Sequence, residues 1–162
     1  MRESKHMDHR HIRFSDRYEE VDLEQLQELL RIGAFWAKDR TLAELAIAIS
    51  NSKPVVTVWD EQKLIGHARA TSDGIYRATI WDVVIDPAYR GAGLGRKLVQ
   101  TVLAHPHVCN VERVYLMTTN QQKFYKQIGF EQNYSTTLVL CNGDRDCDRQ
   151  LATAELTRTT IS

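Results

Sequence analysis

The segment from Val83 to Arg96 constrains the fold of this chain more than any other part of the sequence. Consecutive apolar residues up to Ile85 predict a buried strand, and Asp86-Pro87 ends it. The apolar spacing from Leu94 to Ala104 predicts a helix. Three alternating glycines lie where the strand passes into the helix: Gly91, Gly93 and Gly95.

A turn of this kind is typical of a site for a phosphate group. Glycines remove side chains that would keep a ligand from the backbone, and the first N–H groups of the following helix point toward it. Arg90 and Arg96 add positive charge on both sides of the turn. The spacing does not fit the dinucleotide fingerprint G-x-G-x-x-G, because Arg96 stands where its last glycine would be. It does not fit the P-loop either, because no Gly-Lys-Ser/Thr follows. A purely structural connection is the alternative.

The rest of the pattern predicts an α+β fold, with a mixed central β-sheet and helices on both faces. Helices are predicted after Asp22, after the capping box Thr41 to Glu44, over Leu94–Ala104 and around Gln121–Gln127. Strands are predicted at His11–Ser15, Val55–Trp59, Leu64–Thr71, Tyr76–Ile85 and Arg113–Met117, with a closing hairpin over Phe130 to Leu140.

Length and composition indicate one domain, over residues 11–142, between a flexible arm (1–10) and a disordered tail (143–162). The 21 basic residues balance the 21 acidic ones, so neither nucleic acid nor an anionic membrane is an expected partner. The three cysteines have no CxxC spacing, which predicts reduced thiols. His6, His9 and His11 could bind a metal, but a solvated arm explains them better, and no metal is expected.

Two motifs give the chain a family resemblance. Arg90-Gly91-Ala92-Gly93-Leu94-Gly95 fits the signature [RQ]-x-x-G-x-[GA], and Phe124-Tyr125 precedes Gly129-Phe130. On these residues the chain resembles the GCN5-related N-acetyltransferase (GNAT) family. The stretches from Gly66 to Gly74 and from Ala78 to Val84 look like its plastid and cyanobacterial branch. Members of that branch acetylate arylalkylamines such as serotonin, and the plant members also acetylate protein lysines and N-termini.

The resemblance implies direct transfer of an acetyl group from acetyl-CoA to a primary amine. The residues expected to hold acetyl-CoA are Val83, Val84, Ile85, Arg90, Gly91, Ala92, Gly93, Leu94, Gly95, Arg96, Asn120 and Tyr125. Many relatives have an asparagine or aspartate seven residues before the tyrosine, where this chain has Thr118, so that family role is in doubt here.

Tyr125 is the candidate general acid, because a phenol with a pKa of ~10 is protonated at neutral pH and can donate to a thiolate. Packing beside Phe124 is the alternative. Asp82 is the candidate base, because a carboxylate within an apolar strand needs a partner or a purpose. A structural acid paired with an arginine or a backbone donor is the alternative. Glu112 is the second candidate base, with a solvent-facing position before the next strand as its alternative.

Phe35, Trp36 and Trp81 are the candidate acceptor-binding residues, since an aromatic amine could stack on them. Core packing explains Phe35 and Trp36 equally well. The acceptor is expected to be a small arylalkylamine such as serotonin; a protein amine and a CoA-binding sensor without turnover are the alternatives. Sheet-edge dimers are common in the family, so a homodimer is allowed. The expected location is the cyanobacterial cytosol or the plastid stroma.

Overall fold

The computed structural model of the chain describes residues 11–142. The arm (1–10) and the tail (143–162) inferred from the sequence lie outside the described residues. The strands are β1 (Ile12–Ser15), β2 (Val55–Asp60), β3 (Lys63–Ser72), β4 (Arg77–Ile85) and β5 (Arg113–Tyr115). The helices are α1 (Leu23–Gly33), α2 (Leu42–Ser50), α3 (Leu94–Ala104) and α4 (Gln122–Lys126).

The five strands form one sheet whose spatial order follows the chain, β1-β2-β3-β4-β5. The first four strands pair antiparallel with their neighbours, whereas β4 and β5 pair parallel. A parallel pair needs a crossover connection, and α3 supplies it. The predicted mixed sheet of an α+β fold is confirmed.

Two capping arrangements fix where α1 and α2 begin. The Asp22 side chain accepts hydrogen bonds from the backbone of Glu24 and Gln25 at the start of α1. At the start of α2, Thr41 and Glu44 form the predicted capping box. Each cap satisfies backbone N–H groups that have no partner within the helix, so local sequence determines both helix starts.

The two faces of the sheet are covered by different helices. Leucines of α1 and α2, such as Leu26, Leu29 and Leu45, pack with Val84 of β4 in one buried cluster. The buried residues of α3 are Leu94, Leu98, Val99 and Val102, and α3 packs against β2, β3 and β4. No described helix is long and apolar enough to cross a membrane.

The described residues after Gly129 belong to a second unit, and they differ from the prediction. Residues 130–142 form neither helix nor strand. Tyr134 is fully exposed, and Leu138 and Leu140 are almost as exposed. The predicted closing hairpin is therefore wrong, because an alternating pattern forms a strand only where a partner strand and a buried face support it.

The thiols also differ from the prediction. Cys109 is a free cysteine, as expected. Cys141, in contrast, is disulfide-bonded. The expectation of reduced thiols is therefore wrong for Cys141.

Candidate active site

The candidate site begins where β4 and β5 stop pairing. These strands pair only from Arg77↔Arg113 to Thr79↔Tyr115, although β4 continues to Ile85. One edge of β4, over residues 80–85, therefore has no strand beside it in the described chain. Backbone groups on such an edge can hydrogen-bond to an extended ligand.

A β-bulge interrupts β4 along this free edge. Between the pairs Arg69↔Trp81 and His67↔Val84, β3 has one residue and β4 has two, Asp82 and Val83. Asp82 lies in the left-handed region, with φ +54°. A bulge bends its strand and redirects backbone groups, and bulges recur next to active sites.

Two arginines hold the carboxylate of Asp82. Its Oδ2 accepts a 2.6 Å hydrogen bond from Arg40 Nη1 and a 2.8 Å bond from Arg69 Nε. The side chain of Asp82 is only 5% exposed. Burial alone would raise the pKa of Asp82, but the hydrogen bonds and charges of Arg40 and Arg69 outweigh burial and lower it to about 2.

This pairing does not support Asp82 as the base. A carboxylate with so low a pKa has little tendency to take a proton from an amine near neutral pH. Its oxygens are also directed at the two guanidinium groups. The geometry matches the alternative, a structural acid paired with arginines.

The glycine-rich turn meets the conformational requirements of an anion site. Gly91 and Gly93 have φ values of +84° and +79°. Apart from the glycine and its two chain neighbours, no heavy atom of the described residues lies within 4 Å of where a Cβ would be at either position. Gly93 is the N-cap of α3, and the Lys97 N–H bonds to its carbonyl. The amides of Leu94, Gly95 and Arg96 thus have no hydrogen-bond acceptor within α3, as at any helix start.

Gly95 has a packing role that links the two sequence motifs. A Cβ on Gly95 would lie 3.4 Å from Cζ of Phe124 and 3.8 Å from Cγ1 of Ile85. Phe124 therefore packs over the first turn of α3, beside the end of β4. Its neighbour Tyr125 meets it edge-to-face, with ring centroids 4.9 Å apart. This contact brings α4 to the same end of the sheet as the glycine-rich turn.

Tyr125 is half-buried in α4, and burial raises the pKa of its hydroxyl above the ordinary value. The phenol is therefore protonated throughout the neutral range. This state is what a general acid requires.

The two arginines that flank the turn differ in their contacts. Arg90 donates from Nε to the carbonyl of Ile85 and from Nη2 to the carbonyl of Gly33. Its guanidinium therefore ties the turn to the end of α1, a role that the sequence did not predict. Arg96 is exposed. Within the predicted set, Ala92 is also exposed and the Leu94 side chain is buried.

The predicted acceptor-binding aromatics have two different environments. Phe35 and Trp36 are 66% and 44% exposed and meet edge-to-face at 5.2 Å, in a short 3₁₀ turn before α2. Core packing therefore does not explain them. Trp81 is fixed, because its Nε1 donates to Thr71 Oγ1 at 2.8 Å and Arg69 lies over its ring.

The remaining candidates lie at the margins of the site. Asn120 is exposed in the turn before α4. The Thr118 hydroxyl accepts from the Gln121 N–H and so supports the start of that helix. No group of three or more potential metal ligands occurs within residues 11–142.

The sequence did not single out three residues that contact Asp82: Arg40, Arg69 and His67. Arg40 lies 42 residues before Asp82 and Arg69 lies 13 before it, so no local spacing could pair them. His67 lies within β3 and is fully buried. The only available signal was the general rule that a buried carboxylate needs a cationic partner.

An α+β protein with a free strand edge that leads to a glycine-rich helix start can hold an extended ligand that carries phosphate. Residues 19–130 match the family described as acetyltransferase (GNAT) family. This match covers more than half of the chain, and the chain belongs to the GNAT acetyltransferase family.

Plant and algal proteins are among its relatives. The chain is 36% identical to "Histone acetyltransferase TAP1" of Glycine max, over 69% of this chain and 53% of that protein. It is 37% identical to "GCN5-related N-acetyltransferase 2, chloroplastic" of Arabidopsis thaliana, over 69% of this chain and 51% of that one. It is 34% identical to "Uncharacterized N-acetyltransferase ycf52" of Pyropia yezoensis, over 74% and 72%. The chain spans about half the length of the Glycine max and Arabidopsis thaliana relatives.

A solved structure supports the fold. It belongs to a putative GNAT-family acetyltransferase from Xanthomonas campestris, with a TM-score of 0.74 and 26% sequence identity. The alignment covers 84% of this chain and 97% of that one.

Proposed function

We propose that this chain transfers an acetyl group from acetyl-CoA to a primary amine. The observation that carries the proposal is the free edge of β4, residues 80–85, which leads to the open glycine-rich turn at the start of α3. Membership of the acetyltransferase family supports it. Acetyl-CoA would supply the acetyl thioester, and the residues of this chain would bind it, align it and move protons.

In the proposed donor site, the start of α3 and the end of β4 bind different parts of acetyl-CoA. The amides of Leu94, Gly95 and Arg96 would receive the pyrophosphate, because a helix start carries partial positive charge. The open space at Gly91 and Gly93 lets the ligand approach the backbone. The backbone of Val83, Val84 and Ile85 would hold the thioester arm along the free edge. Arg90 would support the turn, since its guanidinium is bonded to backbone carbonyls.

Tyr125 would protonate the departing thiolate. The raised pKa of its hydroxyl keeps the proton on the phenol until the thiolate forms. Asn120, in the turn before α4, would contact the pantetheine arm.

The proton of the incoming amine needs another route than Asp82, because two arginines hold that carboxylate. One carboxylate between two guanidinium groups leaves a net positive charge. That charge disfavours an ammonium nearby and so favours the neutral amine, which is the nucleophile. We propose that solvent takes the proton and that Asp82 holds the bulge in place.

The acceptor would contact Phe35, Trp36 and Trp81. We propose a small arylalkylamine such as serotonin, since two exposed aromatic rings offer stacking surfaces. A protein lysine or N-terminus is the second candidate, favoured by the similarity to "Histone acetyltransferase TAP1". Relatives described as chloroplastic support the plastid stroma as the location, with the cyanobacterial cytosol as the alternative. We also propose that two copies of this chain form a homodimer.

The test measures release of CoA thiol from acetyl-CoA with a panel of arylalkylamines, polyamines and lysine or N-terminal peptides. The variant is Tyr125→Phe, and the matched control is Tyr18→Phe, a half-exposed tyrosine outside the site. We expect Tyr125→Phe to lower kcat by about 10²-fold or more, as the loss of a general acid does, and the control to keep the parent rate. A CoA-binding sensor without turnover predicts no release with any acceptor. Equal kcat for Tyr125→Phe and the parent would exclude Tyr125 as the acid.

A further inference from the structure

We propose that His67 is a positioning residue for the acetyl donor, because its Nδ1–H holds the Asp82 carbonyl and so aims the Val83 N–H along the free edge of β4. The proposal rests on the proposed acetyl transfer and adds a residue to it. His67 would contact neither donor nor acceptor. It would act through the peptide group between Asp82 and Val83.

The hydrogen bond determines the tautomer of His67. Nδ1 lies 3.1 Å from the Asp82 carbonyl oxygen. A carbonyl oxygen only accepts, so Nδ1 carries the proton. Nε2 is buried and has no hydrogen-bond partner in the described chain. A neutral ring with its proton on Nδ1 is the state that fits both nitrogens.

The surroundings favour this neutral ring. His67 is 1% exposed. Arg40 and Arg69 lie close enough to disfavour a positive charge on its ring. Burial is the main reason that the pKa of His67 falls to about 4, and the nearby Asp82 only partly opposes it. The ring is therefore a fixed donor at neutral pH. It does not serve as a proton shuttle there.

Three contacts hold Asp82 in its unusual backbone conformation. Arg40 and Arg69 bind its carboxylate, and His67 binds its carbonyl. A residue other than glycine with φ near +54° persists only when its surroundings fix it. The two arginines fix the side chain, whereas His67 fixes the peptide plane.

The peptide plane connects His67 to the donor site. In a trans peptide, the C=O and N–H groups point in opposite directions. The Val83 N–H therefore points away from His67, which belongs to β3. On the side of β4 away from β3, residues 80–85 have no strand beside them within residues 11–142. The contact thus determines where a backbone donor of the bulge is directed, although His67 itself is buried.

Two near-isosteric variants separate the hydrogen bond from packing. In His67→Asn the amide nitrogen can occupy the place of Nδ1 and donate to the same carbonyl. His67→Leu has the same branching but no donor. The control is Thr57→Val on the neighbouring strand, at the position paired with His67. This variant removes a buried hydroxyl that accepts a hydrogen bond from Trp59 Nε1, and both residues of that bond belong to β2.

The kinetic test compares kcat and KM for acetyl-CoA, with the best amine of the panel as acceptor. We expect His67→Leu to lower kcat by about 10- to 100-fold, which is typical of a misplaced reacting group. The KM for acetyl-CoA should change little, because the pyrophosphate is bound at α3. His67→Asn should recover most of the lost rate, and Thr57→Val should keep the parent kcat. Equal kcat for His67→Leu and the parent overturns the proposal.

A second measurement keeps the inference separate from the proposed function. The ¹⁵N shifts of the His67 ring in the parent should show a protonated Nδ1 and an unprotonated Nε2. The Val83 amide signal should move in His67→Leu and return toward the parent in His67→Asn. A protonated Nε2, or a Val83 amide unaffected by loss of the donor, refutes the inference even if the enzyme is active.

A parent that transfers no acetyl group refutes the proposed function, and the ring shifts still test the contact. If His67→Leu does not fold, the ring shifts and His67→Asn carry the test.

Discussion

Replacing Asp82 by asparagine tests whether the carboxylate between Arg40 and Arg69 is structural. The pKa of Asp82 falls from 3.8 to about 2 on folding. Each pKa unit corresponds to about 1.4 kcal/mol, so ionised Asp82 contributes roughly 2 kcal/mol to the free energy of unfolding. The variant also leaves two guanidinium groups without their counter-charge. Loss of one partner of a buried pair costs about 3–5 kcal/mol. We expect Asp82→Asn to lower the free energy of unfolding by about 2–4 kcal/mol.

The pH dependence of this difference has a defined sign. The folded pKa lies below the unfolded one, so the contribution is complete above pH 3.8 and is lost as the pH falls toward 2. Urea unfolding of parent and variant at about pH 7 and about pH 3 measures it. The difference between the two proteins should shrink at the lower pH.

An exposed ion pair supplies the control for the same experiment. Glu28 and Arg31 pair on the surface of α1, and both side chains are more than half exposed. Glu28→Gln should change the free energy of unfolding far less than Asp82→Asn does, because water screens an exposed ion pair. If Asp82→Asn lowers the free energy of unfolding no more than this control does, the carboxylate held by Arg40 and Arg69 does not stabilise the fold.

Two further substitutions test the turn and the aromatic pair. Gly93→Ala should cost about 1–2 kcal/mol, because φ is +79° there, and should weaken acetyl-CoA binding measured by calorimetry. Gly95→Ala is its control, because Gly95 lies inside α3 without a positive φ and an added Cβ would make an ordinary contact. If both variants lose the same stability, the positive φ of Gly93 is not the cause. Phe35→Ala should raise KM for an arylalkylamine at least about 5-fold, because the amine loses one aromatic stacking contact. KM for acetyl-CoA should not change. An unchanged amine KM would remove Phe35 from the acceptor site.

Local sequence signals predicted the parts of this fold that local physics determines. The caps at Asp22 and Thr41 and the apolar spacing of α3 gave helix positions that the structure confirms. Hydrogen bonds between residues two to four apart determine such features, so the sequence contains the whole interaction. The predicted hairpin after Phe130 is wrong because a strand depends on a distant partner.

The candidate site was predictable in its residues but less so in their roles. The glycine-rich turn was visible as a motif, and the structure gives Gly91 and Gly93 the positive φ values that a turn open to a ligand needs. Arg90 was predicted as positive charge for a phosphate, yet its side chain is bonded to two carbonyls. The pairing of Asp82 with Arg40 depends on tertiary structure across 42 residues. Long-range pairing of this kind leaves no periodic signal in a sequence.

We propose above that this chain moves an acetyl group from acetyl-CoA to an amine. The most direct measurement compares the CoA thiol released with the acetylated amine formed, the latter by mass spectrometry, for each acceptor of the panel. We expect equal amounts of the two products, formed only when the protein, acetyl-CoA and an amine are all present. Acetyl-CoA that binds while no amine in the panel is acetylated, or CoA that is released without an acetylated amine, would contradict it.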